Sequence, residues 1–232
     1  MFARKKQAIV AVISVILAIG AAPAVLSKLT RLRFAALVQD AVNSNDVDAL
    51  ARLVTSKQFN RLSESRVQEL TLGACGRGQL NAARILHDRG VPADFATSDG
   101  DSPLLAASSS DSPELVFFLL NHGCNPAIRD AHGNTPLSAA VWSKRPRSVE
   151  IAKLLLDAGA KPIEDARQLE PLKSAIRIGK SNMIGLLLAE TSRQTNFTPA
   201  QIQEMLLWCE SRHEESSLFL TNYFSLRRAP SP

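Results

Sequence analysis

Four histidines and three cysteines are the side chains of this 232-residue sequence with the sharpest chemistry. Imidazoles and thiolates ligate zinc, and a thiolate activated by an imidazole is a nucleophile, but either use requires the groups to converge. Their spacing argues against convergence. His87 falls within a helical stretch, and His122 precedes Gly123, where a helix C-terminus favours a cation. His132 lies in a turn and His213 near the C-terminal end. Cys75, Cys124 and Cys209 share no close spacing, so no disulfide framework is expected. A free thiol commonly behaves as a small apolar residue, and Cys209 reads as packed on a helix. Gly76-x-Gly78 is a fragment of a phosphate-binding pattern with no strand before it, and carries no nucleotide reading. No catalytic residue, metal or cofactor is expected. What remains is Trp142 followed by Ser143-Lys144-Arg145-Pro146-Arg147. An indole beside three cations offers stacking and charge to an anionic protein partner or to lipid headgroups; the alternative is a solvated loop.

The charge balance removes one class of partner. Lys and Arg number 27 against 22 Asp and Glu, but six of the basic residues fall in the first 33, which hold no acid. The remaining 199 residues carry 21 basic and 22 acidic side chains. A body so near neutrality has no electrostatic footprint for nucleic acid.

From Ala8 to Leu26 the sequence runs AIVAVISVILAIGAAPAVL, without a charge. As a helix it would reach roughly 28 Å, close to the ~30 Å of a bilayer's hydrocarbon core. Arg4, Lys5 and Lys6 precede it and Lys28, Arg31 and Arg33 follow. The pattern suits a single-pass transmembrane helix with a basic collar, occupying 1–33 with its flanks and tethering the body through residues 8–26. A signal peptide is the alternative: Ala22-Pro23-Ala24 has the small-x-small form of a cleavage site, which would leave an exported soluble chain beginning near Val25. The basic flanks balance, so the positive-inside rule nearly ties. The leader-like start favours a non-cytoplasmic body, and the cysteine usage favours a reducing compartment.

The rest of the chain repeats itself. GDSPLLAASS at Gly100 and GNTPLSAAVW at Gly133 stand 33 residues apart, and each is followed by a leucine run closed by glycine, Gly123 or Gly159. Each copy therefore predicts a glycine turn, a short helix capped by Ser102 or Thr135 with Pro at its first turn, a leucine-rich helix, and a left-handed closing residue. Ala106, Ala107, Ala139 and Ala140 permit close approach of neighbouring first helices. Weaker copies surround this pair: Leu70–Pro92, Glu170–Glu190, and a divergent Val38–Val54 with Asn45 where the others place an inter-helix glycine. Five copies cover 34–195. Thr198 and Gln201 then open helices that cap the array over 196–226, and 227–232 is a loose tail.

These motifs resemble the ankyrin repeat, with its G-x-T-P-L-H-x-A-A turn and helix and its V-V-x-L-L-L-x-x-G-A close. The resemblance implies an all-α solenoid of helix-turn-helix units with β-turn fingers, monomeric, acting without catalysis as a protein-binding scaffold. Binding in that family uses the turn tips and the groove along the inner helices. Carried over, the tips are Ser98, Asp99, Asp101, Ala131, His132 and Asn134. The groove side is Ser109, Ser110, Trp142 and Ser143, all expected to be exposed, with Lys144, Arg145 and Arg147 added by a three-residue insertion that should loop out between helices. The sequence departs from the pattern at Leu105 and Ser138, which replace the usual histidine, and looser turns are expected there.

Overall fold

The computed structural model describes residues 23–161, 170–194 and 220–221, and their regular structure is entirely helical. The chain falls into two compact units, 1–67 and 68–232. In the first, α1 (Pro23–Asn43) packs against α2 (Val47–Val54), and a single 3₁₀ turn follows at Phe59–Arg61. Helical spacing puts Phe34, Val38, Ala41 and Val42 on one buried stripe of α1,. Asp46 caps α2, its carboxylate accepting from the Ala49 amide at 2.8 Å. Between the helices Asn45 adopts φ 54°, alone in positive φ among the described non-glycine residues. Asparagine enters the left-handed region more readily than most residues, so it serves where later copies use glycine, as its place in the repeat implied.

α1 runs unbroken through Lys28, Arg31 and Arg33, so the expected boundary at residue 33 falls inside a helix. Residues 8–22 of the apolar segment lie outside the described residues. Among the described residues no helix is long and apolar enough to cross a membrane.

The second unit holds most of α3 (Glu64–Gly76), then α4 (Leu80–Asp88), α5 (Pro103–Ser108), α6 (Pro113–Asn121), α7 (Pro136–Trp142), α8 (Ser148–Asp157), α9 (Glu170–Ile178) and α10 (Ser181–Gln194). They form two layers. Inner helix α7 contacts α5 and α9, and outer helix α8 contacts α6 and α10. Ala107, Ala140 and Ala175 are completely buried on the successive inner helices, where a larger side chain would push the layer apart. Leu104, Leu137 and Leu172, together with Leu115, Ile151, Leu155 and Ile184 of the outer layer, fill the space between. Each fully buried leucine contributes about 2 kcal/mol by area removed from water. Because a unit of this kind buries its faces only against neighbours, the core is continuous from copy to copy.

The expected terminators are in place. Gly123 and Gly159 close α6 and α8 with φ of 84° and 96°. Ser102 and Thr135 accept from the amides of Leu105 and Ser138 at 3.3 and 3.2 Å, with Pro at the first turn of each helix. Of the expected C-terminal cap only Leu220–Thr221 is described; Leu220 is fully buried in the core cluster that contains Leu187 and Leu188. Cys209, His213 and the tail lie outside the described residues.

Candidate partner-binding surface

Each finger is a short turn closed on itself. In the first, the Thr97 amide donates to the Asp101 carbonyl at 2.9 Å, and the Asp101 amide donates to the Thr97 hydroxyl at 3.1 Å. In the second, 33 residues on, the Asp130 amide donates to the Asn134 carbonyl at 3.1 Å. The Asp130 carboxylate accepts from the His132 and Asn134 amides, both at 2.8 Å, and from the Asn134 side chain at 2.7 Å. Partial burial pushes the Asp130 carboxyl up, but the bonds from Asn134 and His132 outweigh it and hold the group below the ordinary aspartate range. The tips are also joined: the Ala131 amide donates to the Asp99 carbonyl at 2.9 Å. Looser turns were expected without the family's histidine. The structure instead places Ser138 in a capping box, its hydroxyl accepting from the Thr135 amide at 2.9 Å.

Ser98, Asp99, Asp101, Ala131, His132 and Asn134 are all exposed, as the repeat register implied. On the groove side the expectation holds for Ser109 and Trp142 and fails for two residues. Ser110 is 2% exposed and Ser143 8%. Ser110 packs beneath the inter-helix turn, where its hydroxyl accepts from the Ser112 amide. Ser143 donates across the repeat boundary to the Ser109 carbonyl at 3.1 Å. The Ser143 hydroxyl ties neighbouring copies together, while that of Ser110 closes its own turn.

The basic stretch is corrected as well. The three extra residues do not gather in one loop: α7 has seven residues against six in α5, α8 ten against nine in α6, and the connection is 143–147 against 109–112. Arg147 is committed to its neighbours. Its guanidinium reaches Glu114 at 2.7 Å and Glu150 at 3.0 Å, and its amide donates to Asp111 Oδ1 at 2.9 Å. The Arg147 bond holds the Glu114 carboxyl below the usual glutamate range, and the two carboxylates hold Arg147 above the usual arginine range. Lys144 and Arg145 are exposed. Trp142 is 47% exposed, and the cation over its ring is Arg177 of the next inner helix, at 4.4 Å, rather than a member of its own loop.

Two residues that sequence reasoning missed complete this end of the surface: Arg177 and Lys180. The Lys180 ammonium donates to the carbonyls of Val141 and Ser143 and to the Ser148 hydroxyl. It thereby satisfies carbonyl oxygens that the end of α7 leaves without intrahelical partners. Partial burial draws its pKa below the ordinary lysine range. The available signal was the repeat itself, which stacks the ends of successive inner helices.

The histidines and cysteines also part from expectation in one respect. His87 and His122 were read as separate, but outer helices α4 and α6 bring their rings to 4.6 Å, edge to face, with Phe118 against both. Each Nδ1 faces a backbone carbonyl, of Val91 at 3.1 Å and of Phe118 at 2.7 Å. Among the described residues no group of three or more metal-ligating side chains forms. Cys75 and Cys124 are buried free thiols, each pushed up to about 12 by burial first, with Cys124 and Asp94 respectively adding to it.

Paired helices stacked in two layers, linked by hydrogen-bonded fingers at a 33-residue interval, define an α-solenoid of the finger-bearing kind. The chain belongs to the ankyrin repeat family: that family's model, three repeats long, matches residues 37–130 and 70–166. Similar proteins include the potassium channel AKT2/3 of Arabidopsis thaliana, 33% identical over 44% of this chain and 10% of its own. Ankyrin repeat, SAM and basic leucine zipper domain-containing protein 1 of Ornithorhynchus anatinus is 33% identical over 55% of this chain and 27% of its own. The ADP-ribosylation factor GTPase-activating protein AGD2 of Arabidopsis thaliana is 39% identical over 39% of this chain and 12% of its own. The chain spans about a quarter or less of the length of these curated relatives.

Proposed function

We propose that the chain is a non-catalytic scaffold that binds a protein partner through its finger tips and the exposed ends of its inner helices. The observation that carries this reading is the bond from the Ala131 amide to the Asp99 carbonyl. It supports fingers fixed relative to each other before a partner arrives, so docking would cost little conformational entropy. The partner-facing set is Ser98, Asp99, Asp101, Ala131, His132 and Asn134 on the fingers, with Ser109, Trp142, Lys144 and Arg145 beside them. Acidic tips and a basic inner-helix end would select a partner carrying both signs of charge.

The finer reading is that residues 8–26 tether this surface to a membrane. Length and lack of charge support it; the small-x-small Ala22-Pro23-Ala24 supports the alternative of an exported soluble chain,. Photocrosslinkers at Asn134, Trp142 and Lys153 of the full chain test the binding surface. Adducts at the first two and none at Lys153, on an outer helix, are expected; equal labelling at all three overturns the reading. Carbonate extraction with intact-mass analysis tests the tether: an extractable chain beginning near Val25 would replace it with the exported form.

A further inference from the structure

We propose that the first unit carries a binding site for anionic lipid headgroups, formed by Lys28 and Arg31 of α1 with Arg61 and Arg66. These four line one groove of about 690 Å³ together with Leu32, Ala35, Ala36, Leu62 and Ser63, and among the described residues no carboxylate lines it. The fold assembles it from distant stretches. Lys28, Arg31, Leu32 and Ala35 are spaced at three and four residues, one stripe of α1, while Phe34, Val38, Ala41 and Val42 bury a different stripe,. The 3₁₀ turn and the start of α3 then bring up Arg61 and Arg66, 30 residues or more along the chain. Arg31 and Arg61 also line a second, smaller groove of about 120 Å³ with Ser27, Thr30, Phe34 and Gln58, so the two cations are shared between them.

Two observations choose lipid over an acidic peptide. Leu29 and Leu32 are 39% and 58% exposed beside the cations, the pairing that lets apolar side chains enter the acyl boundary while Lys and Arg stems reach outward to phosphates. The uncharged run Ala8–Leu26 ends two residues before Lys28, which would deliver this face to the headgroup layer. The inference rests on the membrane reading of that run, and the headgroup contact would orient α1 and the residues after it against the surface.

The test uses the full chain reconstituted in vesicles of phosphatidylcholine alone and of phosphatidylcholine with phosphatidylglycerol. Hydrogen exchange is followed in peptides covering 27–40 and 58–66, and carbonate extraction is run on the same samples. Expected is slowing by about tenfold or more in the anionic vesicles only, abolished at 0.5 M salt, where the Debye length falls to about 4 Å. Arg31→Glu with Arg61→Glu should abolish it, Arg31→Lys with Arg61→Lys should keep it, and Lys153→Glu with Lys161→Glu, an equal charge change at exposed positions of the second unit, should leave it intact. If the chain resists extraction and exchange is the same in both vesicles, the headgroup site is overturned while the membrane segment stands. If the chain extracts and no protection appears, both readings fall. Extraction with salt-sensitive protection in anionic vesicles supports the headgroup site without the spanning segment. Protection by a soluble polyglutamate peptide and by neither vesicle assigns the groove to an acidic protein and overturns the lipid proposal.

Discussion

The ammonium of Lys180 lies 3.1 Å from the carbonyl oxygen of Val141, 39 residues earlier in the chain, and donates to it. A side chain of the fifth copy thus caps the inner helix of the fourth. The terminal carbonyls of α7 point away from their own helix, and a cation is well placed there. Lys180→Met keeps the aliphatic stem and removes the donors, leaving partly buried carbonyls unpaired. A loss of about 1–3 kcal/mol is expected. The check is urea unfolding, with a lowered midpoint and an unchanged slope; Lys153→Met, on an exposed face of α8, should stay within about 0.5 kcal/mol.

Two finger glycines look equivalent in sequence and differ in space. Gly100 and Gly133 have φ of 79° and 80°. A Cβ on Gly100 would meet the Asp130 Cα at 2.7 Å and the Arg129 carbonyl at 3.0 Å, whereas one on Gly133 would meet nothing within 4 Å. Gly133→Ala therefore costs only the left-handed conformation, about 1 kcal/mol. Gly100→Ala adds a backbone collision between neighbouring fingers and should cost about 2 kcal/mol more. Urea midpoints for the two variants give the comparison directly; equal losses would contradict the packing of Gly100 beneath the second finger.

These cases separate what was legible in the sequence from what was not. Backbone punctuation was legible: Gly123, Gly159 and even Asn45 occupy left-handed turns because few residues can, so residue type discloses conformation. The alanines and leucines of the core were legible because stacking forces them to recur. Ser110, Ser143 and Arg147 were not: the first two were read as exposed and are buried, and Arg147 was read as part of a looped-out insertion and is held by Glu114 and Glu150. Ser110 lies against Gly78, whose added Cβ would meet the serine hydroxyl at 3.3 Å, Ser143 bonds to Ser109 and Arg147 to Glu114, all in the preceding copies, and a repeat pattern describes a position without its neighbour's side chains. The approach of His87 to His122 was hidden for the same reason, since they occupy unlike positions in adjacent outer helices.

The clamp between Arg147 and Glu114 makes stability depend on acid. Hydrogen bonding to Arg147 lowers the folded-state pKa of Glu114 below its ordinary 4.5. The contribution is therefore present above pH 4.5 and is lost as pH falls through the lowered folded value. Glu114 is exposed, so the effect is small and sensitive to salt. Glu114→Gln should make the acid limb of a plot of urea midpoint against pH shallower and leave the neutral region nearly unchanged. An acid limb identical to that of the parent chain would show that the pair contributes nothing.

Thiol reactivity gives the most direct reading of the core. Burial holds Cys75 and Cys124 up to about 12, against an ordinary 9.0. At pH 8 a thiol of pKa near 9 is about one tenth thiolate, and one near 12 about one part in ten thousand, so labelling in the folded chain should be slower by about three decades. Urea should abolish the difference. Because the folded values are raised, the stabilisation from these thiols is complete below pH 9.0 and falls as pH rises from 9.0 towards about 12, where the unfolded chain releases protons that the folded chain retains,. Peptide-resolved mass spectrometry after a timed pulse of reagent distinguishes Cys75, Cys124 and Cys209. Rapid labelling of Cys75 or Cys124 without denaturant would mean that the second and third copies open far more readily than their packing allows.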